Sequence, residues 1–208
     1  MVDSLKRLLI ATHNEGKLSE VRQLLSELPF SLLSLRDFPE TVAVQELGLS
    51  FEENAKLKAA GYALQAGILT LADDSGLEVD ALAGAPGVLS ARYAGKDATD
   101  RERVGQLLAA LIGVAEHGRR ARFVSAVAIA DREAGILHIS VGKCEGTIAL
   151  SPRGKDGFGY DPIFVPEGHE LTFAELGADI KNQISHRAHA LARTRKYLTS
   201  LTHRLTDG

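Results

Sequence analysis

Ile68-Leu69-Thr70-Leu71-Ala72-Asp73-Asp74-Ser75-Gly76 is the stretch on which the reading of this chain turns. Its first residues are mostly apolar, the pattern of a short buried strand. Two adjacent carboxylates, a hydroxyl and a glycine follow, where that strand is expected to end. In open α/β sheets, ligands bind at the carboxyl ends of strands. Neighbouring carboxylates repel and raise each other's pKa, and a hard cation such as Mg²⁺ relieves that cost. Asp, Ser and Gly are equally ordinary turn formers. The stretch alone leaves both readings open, turn and site.

Upstream of it, Leu8–Ala11 reads as a strand and Thr12-His13-Asn14-Glu15-Gly16-Lys17 as the loop leaving it. Leu18, Val21, Leu25 and Leu28 follow at helical spacing. Strand, polar loop with Gly and Lys, then helix is a geometry that holds phosphates on backbone N–H groups, although the P-loop pattern is absent. A solvated turn is the competing reading. Strands are predicted over Phe30–Leu35 and Thr41–Gln45, the second placing Glu46 at a strand end. Ser50 and Glu53 match a capping box that opens a helix running to about Gln65, with Gly67 as its stop. Lys56 and Lys58 fall on different sides of that helix.

Downstream, Leu77–Leu82 alternates at strand period, and Gly84-Ala85-Pro86-Gly87 reads as a turn. Thr99 and Glu102 form a second capping box before a helix with Val104, Leu107, Leu108, Leu111 and Ile112 as its apolar stripe. Arg92 suits either a phosphate or an exposed pairing with Asp97 or Asp100. Phe123–Ala130 and Ile136–Val141 read as a hairpin continued through Thr147–Leu150, so part of the sheet is antiparallel. Ile163–Val165 is a further strand. Thr172 and Glu175 form a third capping box before a short turn ending near Gly177. From Ile180 a long helix follows, with Ile184, Leu191, Leu198, Leu201 and Leu205 buried, and Arg193, Arg195, Lys196 and Arg204 solvated. The fold class is α/β.

The 208 residues, 45% hydrophobic and 25% charged, suit a single soluble domain over 1–208. A net charge of −3 gives no support to a nucleic-acid or membrane-surface binder. Cys144 is the only cysteine, so no internal disulfide forms, and it reads as a small packed residue. The apolar run near the amino terminus, Leu8–Ala11, is too short for a signal peptide, and the expected location is the cytoplasm.

A second informative stretch is Ser151-Pro152-Arg153-Gly154-Lys155-Asp156-Gly157-Phe158-Gly159-Tyr160-Asp161-Pro162. Glycines let backbone approach a ligand, and an aromatic between glycines is placed to stack on a base. The same residues also suit a hairpin loop whose Phe158 and Tyr160 cap the core. Lys181, His186 and Arg187 near a helix start crowd positive charge where the dipole disfavours it, which points to a compensating anion or base.

Thr12–Lys17, Asp73–Gly76, Gly157–Asp161 and Ser185–Arg187, in this order, resemble the inosine triphosphate pyrophosphatase family. Ser50–Ala55, Gly84–Gly87 and Ser90–Tyr93 match it as well, so the resemblance runs from about Leu8 to about Leu191. His13 departs from the family's common glycine, and Cys144 from the tryptophan of some members. The resemblance implies an elongated mixed central sheet with flanking helices, two lobes around a central cleft, and a homodimer. It further implies Mg²⁺-dependent hydrolysis of the nucleoside triphosphates dITP, ITP and XTP to the monophosphate and pyrophosphate. On that basis Asp74 is the catalytic residue, and Glu46, Asp74 and less firmly Asp73 hold the metal. Thr12, His13, Asn14, Glu15, Gly16, Lys17, Lys56 and Ser75 would bind the phosphate end, and Phe158, Gly159, Tyr160, Asp161, Lys181, His186 and Arg187 the base end. The alternatives are a related pyrophosphatase for modified pyrimidine nucleotides and a nucleotide sensor that does not hydrolyse. A third, an aspartic protease, would need a second Asp-Ser-Gly triplet or an all-β dimer.

Overall fold

The computed structural model describes residues 6–206, with side chains described as far as residue 202. The Arg204 and Leu205 side chains, assigned above to two faces of the last helix, lie outside the described residues, as do residues 1–5 of the amino-terminal stretch. Among the described residues there are six strands: β1 (Lys6–Ile10), β2 (Phe30–Ser34), β3 (Thr70–Val79), β4 (Arg120–Asp131), β5 (Gly135–Ile148) and β6 (Phe164–Pro166). They lie in the order β2-β1-β3-β4-β5-β6. β1 runs parallel to β2 and β3, while β5 and β6 are antiparallel, so the sheet is mixed as expected. The α-helices are α1 (Glu15–Leu25), α2 (Phe51–Ala66), α3 (Asp100–Ala110), α4 (Phe173–Ile184) and α5 (His186–Thr206). No described helix is long and apolar enough to cross a membrane.

The chain divides into two compact units. The first holds the chain through Asp74, Ala126–Val141 and the chain from His189; the second holds Ser75–Ser125 and Gly142–Ala188. The core of the first gathers Leu8 and Ile10 of β1, Leu71 of β3, Val127 and Ile129 of β4, and Leu191 and Leu198 of α5. Leu18, Val21 and Leu25 join from α1, whose 3–4 spacing turns all three to one side. Each buried leucine of this kind contributes about 1.5–3 kcal/mol. The core of the second unit packs Leu77 and Val79 of β3 with Val104 and Leu107 of α3. Phe123, Phe164 and Phe173 form its aromatic centre, with ring centroids 4.6–6.1 Å apart.

Several sequence expectations are corrected. β3 does not end at Asp73; it runs unbroken from Thr70 to Val79 and absorbs the strand expected at Leu77. Asp73-Asp74-Ser75-Gly76 is therefore mid-strand rather than a turn or a strand end. Gly76 permits this, because a Cβ there would lie 2.4 Å from Ser90 Oγ and 2.6 Å from the Gly87 carbonyl. Thr41–Gln45 is not a strand. Its backbone is satisfied by α2 side chains: Gln65 takes the Val42 N–H at 2.7 Å and donates to the Val42 carbonyl at 3.1 Å. Ser50 caps α2 through the Glu53 N–H, but the Glu53 carboxylate accepts from Leu49, so the reciprocal box is not closed. The boxes at Thr99 and Thr172 are closed. Ile112 leaves the α3 stripe, because that helix ends at Ala110, and it is 81% exposed. Gly177, at φ 77°, breaks α4 as expected.

Candidate active site

The phosphate-loop stretch of the first unit builds itself from local chemistry. Thr12 Oγ1 accepts the Asn14 N–H at 3.2 Å, and Asn14 Oδ1 accepts the Lys17 N–H at 3.0 Å, which makes Asn14 the N-cap of α1. The helix thus starts earlier than its apolar stripe, and Glu15, Gly16 and Lys17 form its first turn. The opening N–H groups of a helix are left over by its own ladder and face anions. Lys17 Nζ stands 3.2 Å from Asp73 Oδ2. Glu15 is exposed and pairs with Arg36 at 2.7 Å, away from this group. His13 is exposed, its Nε2 3.2 Å from the buried Tyr62 hydroxyl.

Lys58 is the residue that draws the carboxylates together. Its Nζ donates to Glu46 Oε1 at 2.7 Å and to Asp74 Oδ1 at 3.1 Å. Lys56 is exposed and takes no place in this group. The signal for choosing between them was present in the sequence: Asn54, Lys58 and Tyr62 form one i, i+4 row, and Lys56 lies two residues off it. Asn54 and Tyr62 are buried. Asn54 Oδ1 accepts the Gly48 N–H at 2.7 Å, and the Tyr62 hydroxyl accepts from Val44 at 3.4 Å. Glu46 therefore rides on a segment tied to α2 by side chains.

Three carboxylates, Glu46, Asp73 and Asp74, face two ammoniums, Lys17 and Lys58, for a formal charge of −3 + 2 = −1. Burial acts to lower Lys58, but Asp74, Asp73 and Glu46 together outweigh it and hold the ammonium above its ordinary value. Burial raises Asp74; Lys58 and Lys17 pull it down and Glu46 pushes it up, and it stays above the usual carboxylate range. Asp74 Oδ2 is buried without a hydrogen-bond partner. No group of three or more His, Cys, Asp or Glu side chains among the described residues forms a ready metal cage. Mg²⁺ does not need one, because it binds through one or two carboxylates plus waters and phosphate oxygens. A net negative centre with an unsatisfied carboxylate oxygen fits such an ion.

The second unit carries a different cluster. Arg187 is the largest fully buried side chain, 1% exposed, and its Nη2 donates to Ser75 Oγ at 2.8 Å. Ser185 caps α5 by accepting the Ala188 N–H at 3.1 Å, which places His186 and Arg187 in its first turn. The His186 ring stacks on Phe123, 4.7 Å between centroids and 12° between planes. Half-buried Phe158 presents its ring to two cations: Lys181 Nζ at 4.4 Å and Arg187 Cζ at 5.8 Å from the centroid. The Asp161 carboxylate accepts Lys181 Nζ at 2.5 Å and the Phe158 N–H at 2.9 Å. Gly159 is half-buried beside them. Tyr160 instead belongs to the core, 4% exposed with its hydroxyl on the Ser90 carbonyl at 3.0 Å. The core-capping reading of this loop thus holds for Tyr160, whereas Phe158 is turned to the cations. Arg92 is exposed, and Asp100 pairs with Arg103 instead.

Fold and clusters together define a class of protein: a mixed α/β chain with a carboxylate–lysine centre beside a helix start, and an aromatic ring set among buried cations. The Ham1 family model matches residues 8–197, and the chain belongs to the Ham1 family. It is 45% identical over 195 residues to a protein of Desulforamulus reducens named dITP/XTP pyrophosphatase, covering 94% of this chain and 96% of that one. A protein of the same name from Geobacter sulfurreducens is 47% identical over 192 residues, covering 92% and 96%. The solved structure of a HAM1 protein from Coxiella burnetii has a TM-score of 0.85 and 43% identity, covering 94% of this chain and 99% of that one.

Proposed function

We propose that this chain is a nucleoside triphosphate pyrophosphatase that hydrolyses dITP, ITP and XTP to the monophosphate and pyrophosphate, removing non-canonical purines from the nucleotide pool. The observation that carries the reading is the buried, unpartnered Asp74 oxygen in a net negative centre beside two lysines and the start of α1. Family membership and the names of the relatives support the substrate class. The whole chain acts as one catalytic domain, works in the cytoplasm and pairs with a second copy in this reading.

A divalent cation, Mg²⁺, held by Asp74 and Glu46 with Asp73 behind them, supplies charge neutralisation of the polyphosphate when bound. Every other step falls to the chain. The first-turn N–H groups of α1, with Thr12 and Asn14, receive phosphate oxygens. Asp74, held above the usual carboxylate range, takes the proton of the water that attacks the α-phosphorus. The bond to the β-phosphate oxygen breaks, and Lys17 and Lys58 meet the charge on departing pyrophosphate. Lys58 replaces Lys56 in this role because it alone of the two reaches the carboxylates.

Phe158 stacks on the base. Lys181, Arg187 and His186 offer donors, which suit the O6 acceptor of hypoxanthine and xanthine and disfavour the amino group of adenine. The test is pyrophosphate release from a panel of purine and pyrimidine triphosphates, with the Asp74→Asn variant alongside. Preference for dITP and XTP, with a fall in kcat of about 10²–10⁴-fold in the folded variant, is expected. A wild-type enzyme that favours pyrimidines, or binds without turnover, overturns the reading.

A further inference from the structure

The ring that stacks on the base is useful only if its backbone is held, and the loop carrying it is rich in glycine. Gly157 and Gly159 take φ values of 76° and 62°, a region that residues with a side chain rarely adopt. Two carboxylates hold the peptide groups on either side of the Phe158 Cα. Asp161 Oδ2 accepts the Phe158 N–H at 2.9 Å, and Asp100 Oδ2 accepts the Gly159 N–H at 2.7 Å. Asp161 is a neighbour in the loop. Asp100 belongs to the first turn of α3, 59 residues away.

We propose that Asp100 is a positioning residue for base recognition: it fixes the Gly159 amide, and through it the angle at which Phe158 faces Lys181 and the nucleobase. This rests on the pyrophosphatase reading above. Helix α3 does not need Asp100 for its own start. Thr99 and Glu102 close a complete capping box, with the Thr99 N–H on Glu102 Oε2 at 2.7 Å and the Glu102 N–H on Thr99 Oγ1 at 3.3 Å. An acid in a first turn suits the helix dipole with either oxygen in solvent. Here one oxygen faces Arg103 and the other leaves the helix for a backbone amide of the loop. A carboxylate accepting an N–H makes a charge-assisted bond, about twice as strong as a neutral one. The two ends of the substrate thus depend on different anchors, and a defect at Asp100 reaches the base end alone.

The experiment compares wild type, Asp100→Ala and Asp100→Asn in dITP hydrolysis, in product inhibition by dIMP and by pyrophosphate, and in amide exchange at Gly159. Asp100→Ala is expected to raise KM for dITP and Ki for dIMP about fivefold to thirtyfold. Its Ki for pyrophosphate should stay near wild type, its thermal midpoint should fall by only a few degrees as the charge-assisted bond is lost, and the Gly159 amide should lose protection. Asp100→Asn retains an acceptor oxygen and should recover most of the dIMP affinity. The proposal falls if dIMP inhibition stays within twofold, if dIMP and pyrophosphate weaken alike, if the asparagine variant rescues nothing, or if Gly159 exchange is unchanged. A wild-type enzyme inert toward all purine triphosphates would instead sink the functional reading, and the exchange result would still judge the anchor.

Discussion

Replacing Lys58 with methionine keeps most of the side chain's length and removes its charge, so it isolates what one ammonium does for Glu46 and Asp74. The contacts are 2.7 and 3.1 Å. At an effective dielectric of about 20, each is worth about 5–6 kcal/mol before desolvation is set against it. Leaving a buried carboxylate without its cation costs about 3–5 kcal/mol. Two escapes reduce that figure: Asp74 can take a proton, and Glu46, whose side chain is 31% exposed, can swing toward water. The expected loss at pH 8 is about 2–3 kcal/mol, or about 4–12 °C in Tm. The sign of the pH dependence follows from the two groups. Lys58 is held above its ordinary value, so its stabilising contribution is complete below the usual lysine pKa, about 10.4, and is lost only as pH rises through the raised one. Well below that range the group whose charge bears on Lys58 is Asp74, raised by burial, whose ionised form weighs against the fold as pH rises through its titration. The gap in Tm between wild type and variant should therefore widen as pH rises through the Asp74 titration. Removing Lys58 also removes a downward pull on Asp74, so the acid limb of pyrophosphate release should move to higher pH, with kcat lower by about 10²-fold. Thermal unfolding across that titration and a pH–rate profile read these effects. A gap that stays constant across it, or that is larger on its acid side, would refute the reasoning.

Two further outcomes follow from the second unit. Gly157→Ala puts a Cβ 2.1 Å from Asp161 Oδ2 at a φ of 76°, displacing the carboxylate that holds Lys181 and the Phe158 amide; KM for dITP should rise about tenfold or more, and an unchanged KM contradicts the assigned geometry. Burial, with Glu145 and Glu167 nearby, pushes the Cys144 thiol up to about 12. Alkylation by iodoacetamide at pH 8 should be far slower than for free cysteine, and Cys144→Ala should retain turnover; rapid labelling with loss of activity would show a reactive thiol.

What could be read from sequence was whatever its own neighbours settle. Ser50, Thr99 and Thr172 cap helices through residues three positions on, and Gly67 and Gly177 stop them through their own backbone freedom. The short turn between β4 and β5 and the apolar stripe of α1 are equally local, while the parallel pairing of β1 with β2 and β3 joins distant segments. β3 was misread because charges in mid-strand are costly unless distant cations meet them, and Lys17 and Lys58 stand 56 and 16 residues away along the chain. The Thr41–Gln45 stretch has the alternation of a strand, yet Gln65 and Tyr62 satisfy its backbone instead of another strand. Asp100 reads in the sequence only as a partner for Arg92; it pairs with Arg103, and its second oxygen's partner lies in a loop that only folding brings near. Tyr160 and Phe158 sit two residues apart between similar glycines; the Ser90 carbonyl draws one into the core, while Lys181 and Arg187 flank the other.

The central claim is that water attacks the α-phosphorus and pyrophosphate leaves intact. Hydrolysis of dITP in ¹⁸O-enriched water, with Mg²⁺ present and the products resolved by ³¹P NMR, tests it most directly. The account predicts dIMP carrying the isotope and unlabelled pyrophosphate in equal amounts; dIDP with orthophosphate, or label in the pyrophosphate, would contradict it.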